Sequence, residues 1–168
     1  MIKDLTDLLA KKYKELTVDT TVDLESMQRS GDEIKFTEPV SINGRLYRLE
    51  DDVIFFSGYL KTSIETACGR CLEPVSENID LDFDEVVYAE GREEDYDLII
   101  EPEGETIDLK GFILNLLDLK LPLKFLCDED CKGLCPVCGT NLNTSQCNCN
   151  DEKIDERFAM LKDLFKDR

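Results

Sequence analysis

The run CDEDCKGLCPVCGTNLNTSQCNC, residues 127–149, carries six of the chain's eight cysteines, and Cys68-Gly69-Arg70-Cys71 supplies the other two. The spacing is Cys68-x2-Cys71, fifty-five residues, then Cys127-x3-Cys131-x3-Cys135-x2-Cys138-x8-Cys147-x-Cys149. Zinc takes four ligands tetrahedrally, and sets of four thiolates make closed structural sites. Cys135-Pro136-Val137-Cys138-Gly139 is the usual text of a zinc knuckle, in which a tight turn points two sulfurs the same way. Gly69 and Gly139 are expected to supply the turn freedom.

Eight thiols divide into two sets. The expected first set is local: Cys135, Cys138, Cys147 and Cys149. The second joins Cys68 and Cys71 to Cys127 and Cys131, closing a long loop and removing entropy from the unfolded chain. A site made from Cys127, Cys131, Cys135 and Cys138 is the alternative division. Four thiolates also accept iron. The chain has no His, and catalytic zinc typically keeps an open position with His among its ligands. The expectation is therefore structural metal and no enzyme. A redox dithiol at Cys68 and Cys71 is the rival reading. Such pairs open a helix that lowers the thiol pKa, whereas Pro74 follows closely here.

The chain as a whole reads as α+β: an antiparallel β core, an N-terminal helix, one buried helix, a zinc-knuckle extension and a C-terminal helix. Leu5, Leu8, Leu9 and Tyr13 recur at helical spacing. Val18, Val22 and Leu24 alternate as in a strand, and Ser30-Gly31-Asp32 marks a turn. Residues 34–66 are rich in β-branched and aromatic types, with turns expected at Asn43-Gly44 and at Glu50-Asp51-Asp52. A strand is expected over 75–88 and a loop over 90–105, with a short strand at 98–100. Asp108 can cap a helix over 109–121 whose apolar residues lie nearly all round, as in a buried helix. Ile154, Phe158, Leu161 and Phe165 form the stripe of a last helix, 151–166. The expected units are 1–126, a core containing the first cysteine pair, and 127–168, the cysteine-rich extension and final helix, packed as one body.

Of the 168 residues, 42% are hydrophobic, enough for a core, and 38 acids against 20 bases give a net charge of −18. Residues 77–108 hold fourteen acids and one base, so −13 of the −18 sits there and −5 on the rest. That acidic run reads as a solvated face or loop. Such a chain is repelled by naked nucleic acid and anionic membranes. No apolar stretch is long enough to span a bilayer, and charges interrupt the first sixteen residues, unlike a secretory signal. A cytoplasmic protein with reduced thiols is expected. There is no phosphate-cradling loop or nucleophile elbow, so no small-molecule substrate is expected.

Several motifs together resemble the bacterial YceD family, which has plastid relatives. They are Cys68-Gly-Arg-Cys71-Leu-Glu-Pro74, Ile107-Asp-Leu109, Leu119-Lys-Leu-Pro122, Cys127-x3-Cys131-Lys-Gly-Leu-Cys135-Pro-x-Cys138-Gly-x-Asn-Leu-Asn143, Cys147-x-Cys149 and Asp155-Glu-Arg157-Phe-x-x-Leu161. Arg157 stands where the family more often has proline. The resemblance implies a non-enzymatic role in accumulation of the large-subunit (23S) ribosomal RNA, through its synthesis, processing or stability. It also implies coupling to assembly of the large subunit, with ribosomal proteins or 50S assembly factors as partners. An acidic surface complements basic proteins better than RNA. If RNA is touched, Arg70, Lys120, Lys124 and Lys132 are the candidates for phosphate contacts. The readings to be separated from this one are a thiol redox or zinc-handling protein and a protein-only adaptor.

Overall fold

The computed structural model describes residues 2–48, 53–89 and 106–149. Its elements are β1 (Ile2–Asp4), α1 (Thr6–Leu9), β2 (Glu15–Val22), β3 (Ser26–Arg29), β4 (Asp32–Phe36), β5 (Val40–Arg48), β6 (Val53–Ala67), β7 (Pro74–Ala89), β8 (Thr106–Asp108) and α2 (Leu109–Lys120). The last helix expected over 151–166, the turn at 50–52 and the short strand at 98–100 lie outside the described residues.

The long hairpin β6–β7 organises the sheet. β7 pairs antiparallel along the whole of β6, from Val53↔Ala89 to Ala67↔Pro74. The other edge of β6 is shared. β5 takes the first part, Arg48↔Ile54 to Ser41↔Lys61, and β4 takes Glu65 and Ile64. β2 then pairs with β5 and β3 with β4, completing six antiparallel strands. The Ser30-Gly31 turn joins β3 to β4 with both residues at positive φ, +52° and +95°, as a two-residue hairpin of matching twist requires.

Alternation puts Ile42, Leu46, Ile54, Phe56, Leu60 and Ile64 on one face, all fully buried. α2 covers that face with Leu109, Phe112, Ile113, Leu116 and Leu117. Phe56, Phe83 and Phe112 meet there with ring centroids 4.8–5.3 Å apart, in tilted and edge-on pairs, arrangements favoured by the ring quadrupole. The helix is one-sided rather than buried all round, because Leu119 is 67% exposed. Its ends are both satisfied. The Asp108 carboxylate accepts from the backbone N–H groups of Lys110 and Gly111, at 3.1 and 3.2 Å. Arg29 reaches from β3 and donates to the carbonyls of Asp118, Leu121 and Pro122 and to the Asp118 carboxylate. Nothing in the local sequence around Arg29 announces this cap.

Two expectations are corrected. The N-terminal helix expected from Leu5, Leu8, Leu9 and Tyr13 is cut to Thr6–Leu9. Ile2–Asp4 instead pairs antiparallel with β8, and the Asp4 carboxylate accepts from the N–H and hydroxyl of Thr6 to start a single turn, α1. Lys11 at φ +59° follows that turn, and Arg48 donates to the carbonyls of Leu8 and Leu9. Leu5 and Leu8 are buried, but Tyr13 is exposed. Asn43-Gly44 is not a turn either; it lies within β5. Gly44 faces Gly58 across the ladder, and the two backbones approach closely. A Cβ on Gly58 would fall 2.1 Å from the Asn43 carbonyl oxygen, and one on Gly44 2.5 Å from that of Ser57. Glycine serves strand contact here, a use that resembles a turn signal in sequence.

Gly58→Ala should therefore destabilise the protein by about 1–3 kcal/mol, as overpacking does, and Asp108→Ala by about 1 kcal/mol through the lost cap. Urea midpoints at constant slope measure both; an unaltered midpoint for Gly58→Ala would contradict the close approach.

Candidate metal centre

The loop between β6 and β7 is Cys68-Gly69-Arg70-Cys71-Leu72-Glu73. The Cys68 N–H donates to the Glu73 carbonyl at 2.8 Å, and the Leu72 N–H to that of Cys68 at 3.0 Å. The positive φ of this loop falls on Leu72, at +62°, and not on Gly69. Gly69 instead donates its N–H to the Phe125 carbonyl at 2.9 Å. Arg70 donates from its guanidinium to the carbonyls of Glu129 and Cys131, at 2.8 and 2.9 Å. The hairpin tip is thereby stitched to residues 125–131.

This stitching brings Cys68, Cys71, Cys127 and Cys131 together, with all four sulfurs within 4.8 Å of one another. Cys68 and Cys131 sulfurs are 3.9 Å apart, and those of Cys71 and Cys127 are 3.5 Å apart. Zinc–sulfur bonds of about 2.3 Å in a tetrahedron place sulfurs about 3.8 Å from each other, so the spacing suits such an ion. A second group, Cys135, Cys138, Cys147 and Cys149, meets the same limit. Gly139 makes its turn at φ +74°, with its N–H on the Cys135 carbonyl at 2.9 Å, while the Cys135 N–H donates to the Thr140 carbonyl at 2.8 Å. The eight cysteines gather in these two sets of four, and Cys127, Cys131, Cys135 and Cys138 do not form one set. All eight thiols are free of disulfides.

The electrostatics also suit a cation. Burial opposes ionisation of Cys68, but backbone N–H donors outweigh it and bring the thiol down to about 6. Cys138 is brought down to about 6 by the Thr140 hydroxyl and backbone. Burial also opposes ionisation of Cys131, but the Asn143 amide and the Gly133 N–H outweigh it and lower that thiol too, while other neighbours move the other way. Cys71 and the other thiols beside it push Cys127 up to about 12, and Cys138 does the same to Cys149. Ionisation of the remaining thiols in each cluster is opposed by the like charge beside them. A divalent cation relieves that repulsion.

Two of the four bases considered for RNA have other work. Arg70 is committed to backbone carbonyls, and Lys120 pairs with Glu85 at 2.7 Å. Conversely, Asn141 and Asn143 carry contacts that spacing alone does not assign. The side-chain amide of Asn143 donates to the Cys131 sulfur at 3.3 Å, and that of Asn141 to the Glu73 carboxylate at 3.3 Å. Their sequence signal is their place after the Cys138-Gly139 turn, in the Asn141-Leu-Asn143 end of the motif quoted above.

Comparison with known proteins gives a consistent picture. A family model described as "Large ribosomal RNA subunit accumulation protein YceD" matches residues 56–165. An Arabidopsis thaliana protein named a chloroplastic YCED homolog 1 is 28% identical over 64% of this chain and 43% of its own length. Its Zea mays counterpart is 28% identical over 65% and 48%, respectively. An uncharacterised Mycobacterium tuberculosis protein is 35% identical over 58% of the chain and 49% of its own length. The chain thus spans about half, or less, of each of these relatives. No solved structure matches it.

Replacing Cys71 by Ser should remove one metal ion per chain and lower the unfolding temperature, because the ion that closes the long loop is lost. Metal analysis with thermal unfolding checks this. Protons and metal compete for the same sulfurs, and Cys127 and Cys149 hold their protons up to about 12 without an ion. Metal uptake therefore expels protons, and affinity rises with pH. Retention against a fixed chelator should fall as pH is lowered from about 8 to about 5; a flat profile would contradict thiolate ligation.

Proposed function

The chain belongs to the YceD family of large ribosomal RNA subunit accumulation proteins, and we propose that it acts as a non-enzymatic, zinc-binding factor supporting synthesis, processing or stability of the 23S rRNA during large-subunit assembly. The observation that carries this reading is the family match, which begins within β6 and runs through both cysteine clusters. The names of the two plant relatives point the same way.

In this proposal the ligands are Cys68, Cys71, Cys127 and Cys131 for one ion and Cys135, Cys138, Cys147 and Cys149 for the other. Bound zinc would fix shape, because four thiolates close its coordination and leave no position for a reacting water. The chain's own residues supply the rest. The β6–β7 hairpin holds Cys68 and Cys71, and the Arg70 contacts hold the backbone of residues 129–131 against it. Partners are basic proteins of the large subunit or its assembly factors, which complement a chain of net charge −18. The commitment of Arg70 and Lys120 to internal contacts supports protein over RNA as the direct partner. The cytoplasm is the proposed setting, where thiols stay reduced. Among the described residues no helix is long and apolar enough to cross a membrane.

Depletion followed by sucrose-gradient profiling and RNA analysis tests the role. The expected result is fewer 50S particles and less mature 23S rRNA relative to 16S. Unchanged 50S and precursor levels would reject it in favour of an adaptor unconnected with rRNA. Two zinc ions per chain, with thiols inert until unfolding, would separate it from a redox dithiol.

A further inference from the structure

The two cysteine clusters are joined by a chain of side-chain contacts. Asn143 belongs to the loop of the second cluster, yet its Nδ2 donates to the sulfur of Cys131 in the first, at 3.3 Å. The orientation of this amide is determined by its other partner. Asn143 Oδ1 accepts from the Lys132 backbone N–H at 2.7 Å, and a backbone N–H can only donate. The oxygen must therefore face Lys132 and the nitrogen must face Cys131. Asn141 is oriented by the same logic. Its Oδ1 accepts from the Asn143 backbone N–H at 3.0 Å and also from Asn143 Nδ2 at 3.0 Å. Its Nδ2 then donates to the Glu73 carboxylate, which can only accept.

The backbone reinforces this path. Leu134 and Asn141 form an isolated antiparallel bridge. The Leu134 N–H donates to the Arg70 carbonyl at 3.1 Å, and the Leu142 N–H to that of Gly133 at 2.9 Å. Gly133 sits at φ +74°, where a Cβ would lie 3.0 Å from the Arg70 carbonyl oxygen. The loop that the second cluster closes, residues 139–147, is thus seated on the hairpin tip of the first.

We infer that Asn143 is a positioning residue through which the second cluster stabilises metal held by Cys68, Cys71, Cys127 and Cys131. The inference rests on the metal-binding reading above. An N–H donated to a metal-bound thiolate offsets part of its charge and holds its direction, and contacts of this outer kind typically alter metal affinity about 10–100-fold. An ion at the second cluster orders the loop that carries Asn143, so the first site is strongest when the second is filled. Because coupling of binding free energies is reciprocal, the first ion also favours the second.

Cadmium is the probe. The full chain loaded with 113Cd should give two resonances, and the first site is assigned as the one lost in Cys71→Ser. Asn143→Asp keeps the acceptor for Lys132 and removes the donor to sulfur, whereas Asn143→Ala removes both. Both variants should shift the first-site resonance and speed cadmium transfer from that site to a competing chelator about 10–100-fold. The second-site resonance should stay in place. The double variant Cys138→Ser/Cys147→Ser, which empties the second cluster, should speed release from the first by a similar factor. If Asn143→Asp matches the wild type in shift and release while Asn143→Ala does not, the residue serves loop structure alone and the inference is overturned. Release from the first site that is indifferent to the double variant overturns the coupling. A wild-type chain that binds no cadmium or zinc overturns the metal reading itself, a failure distinct from the other two.

Discussion

Four thiols held within 4.8 Å of one another, in two places, set the constraint on which this molecule depends. Sulfur atoms so close cannot all carry charge unless a cation sits among them, yet protonated thiols make only weak hydrogen bonds. The fold gathers them regardless, through backbone and guanidinium contacts that do not involve sulfur. Gly69 to Phe125, Arg70 to Glu129 and Cys131, and Leu134 to Arg70 hold the first cluster's chain segments in register. The sheet thus prepares the site, and a bound ion would lock a hairpin to a segment more than fifty residues away in sequence.

That preparation reaches into the core. β6 and β7 are long enough for one end to pack on α2 and the other to present Cys68 and Cys71. Phe56, Phe83 and Phe112 secure the helix to the sheet, and Arg29 caps the end of α2 just before the chain turns towards Cys127. The position of Cys127 is therefore set by packing at one end and by the hairpin at the other. In the proposed function, metal held by four thiolates in such a frame would serve shape and contact, and the net charge of −18 would suit basic protein surfaces better than nucleic acid.

Much of the site is legible in the order of the residues. Cysteine spacing carries strong information because a tight turn is all that two sulfurs two residues apart need to share an ion, and the Cys135 to Cys149 group is nearly local. Pairing Cys68 and Cys71 with Cys127 and Cys131 is less local: four ligands for each of two ions also allow Cys127, Cys131, Cys135 and Cys138 as one set, and only the folded chain gathers the sulfurs the first way. The strands of the β6–β7 hairpin and the Asp108-capped helix are also readable, since period-2 alternation and an N-cap are local signals. The N-terminal segment misleads for the opposite reason. Leu5, Leu8 and Leu9 have helical spacing, but pairing of Ile2–Asp4 with β8, more than a hundred residues away, decides the conformation there. Asn43-Gly44 misleads because a glycine needed for strand-to-strand approach looks the same in sequence as one needed for a turn.

The order of residues alone establishes the chemistry of this protein: eight cysteines without histidine, an acidic composition, and the periodicity of a β core and of the helix that Asp108 caps. These are properties of residue type and short-range spacing. Tertiary structure alone decided that Arg29 caps α2, that Arg70 serves backbone carbonyls, and that Asn143 reaches from one cluster to a sulfur of the other. Each of those contacts joins a side chain to a group whose position is set by long-range packing, and no local pattern encodes where such a group will lie.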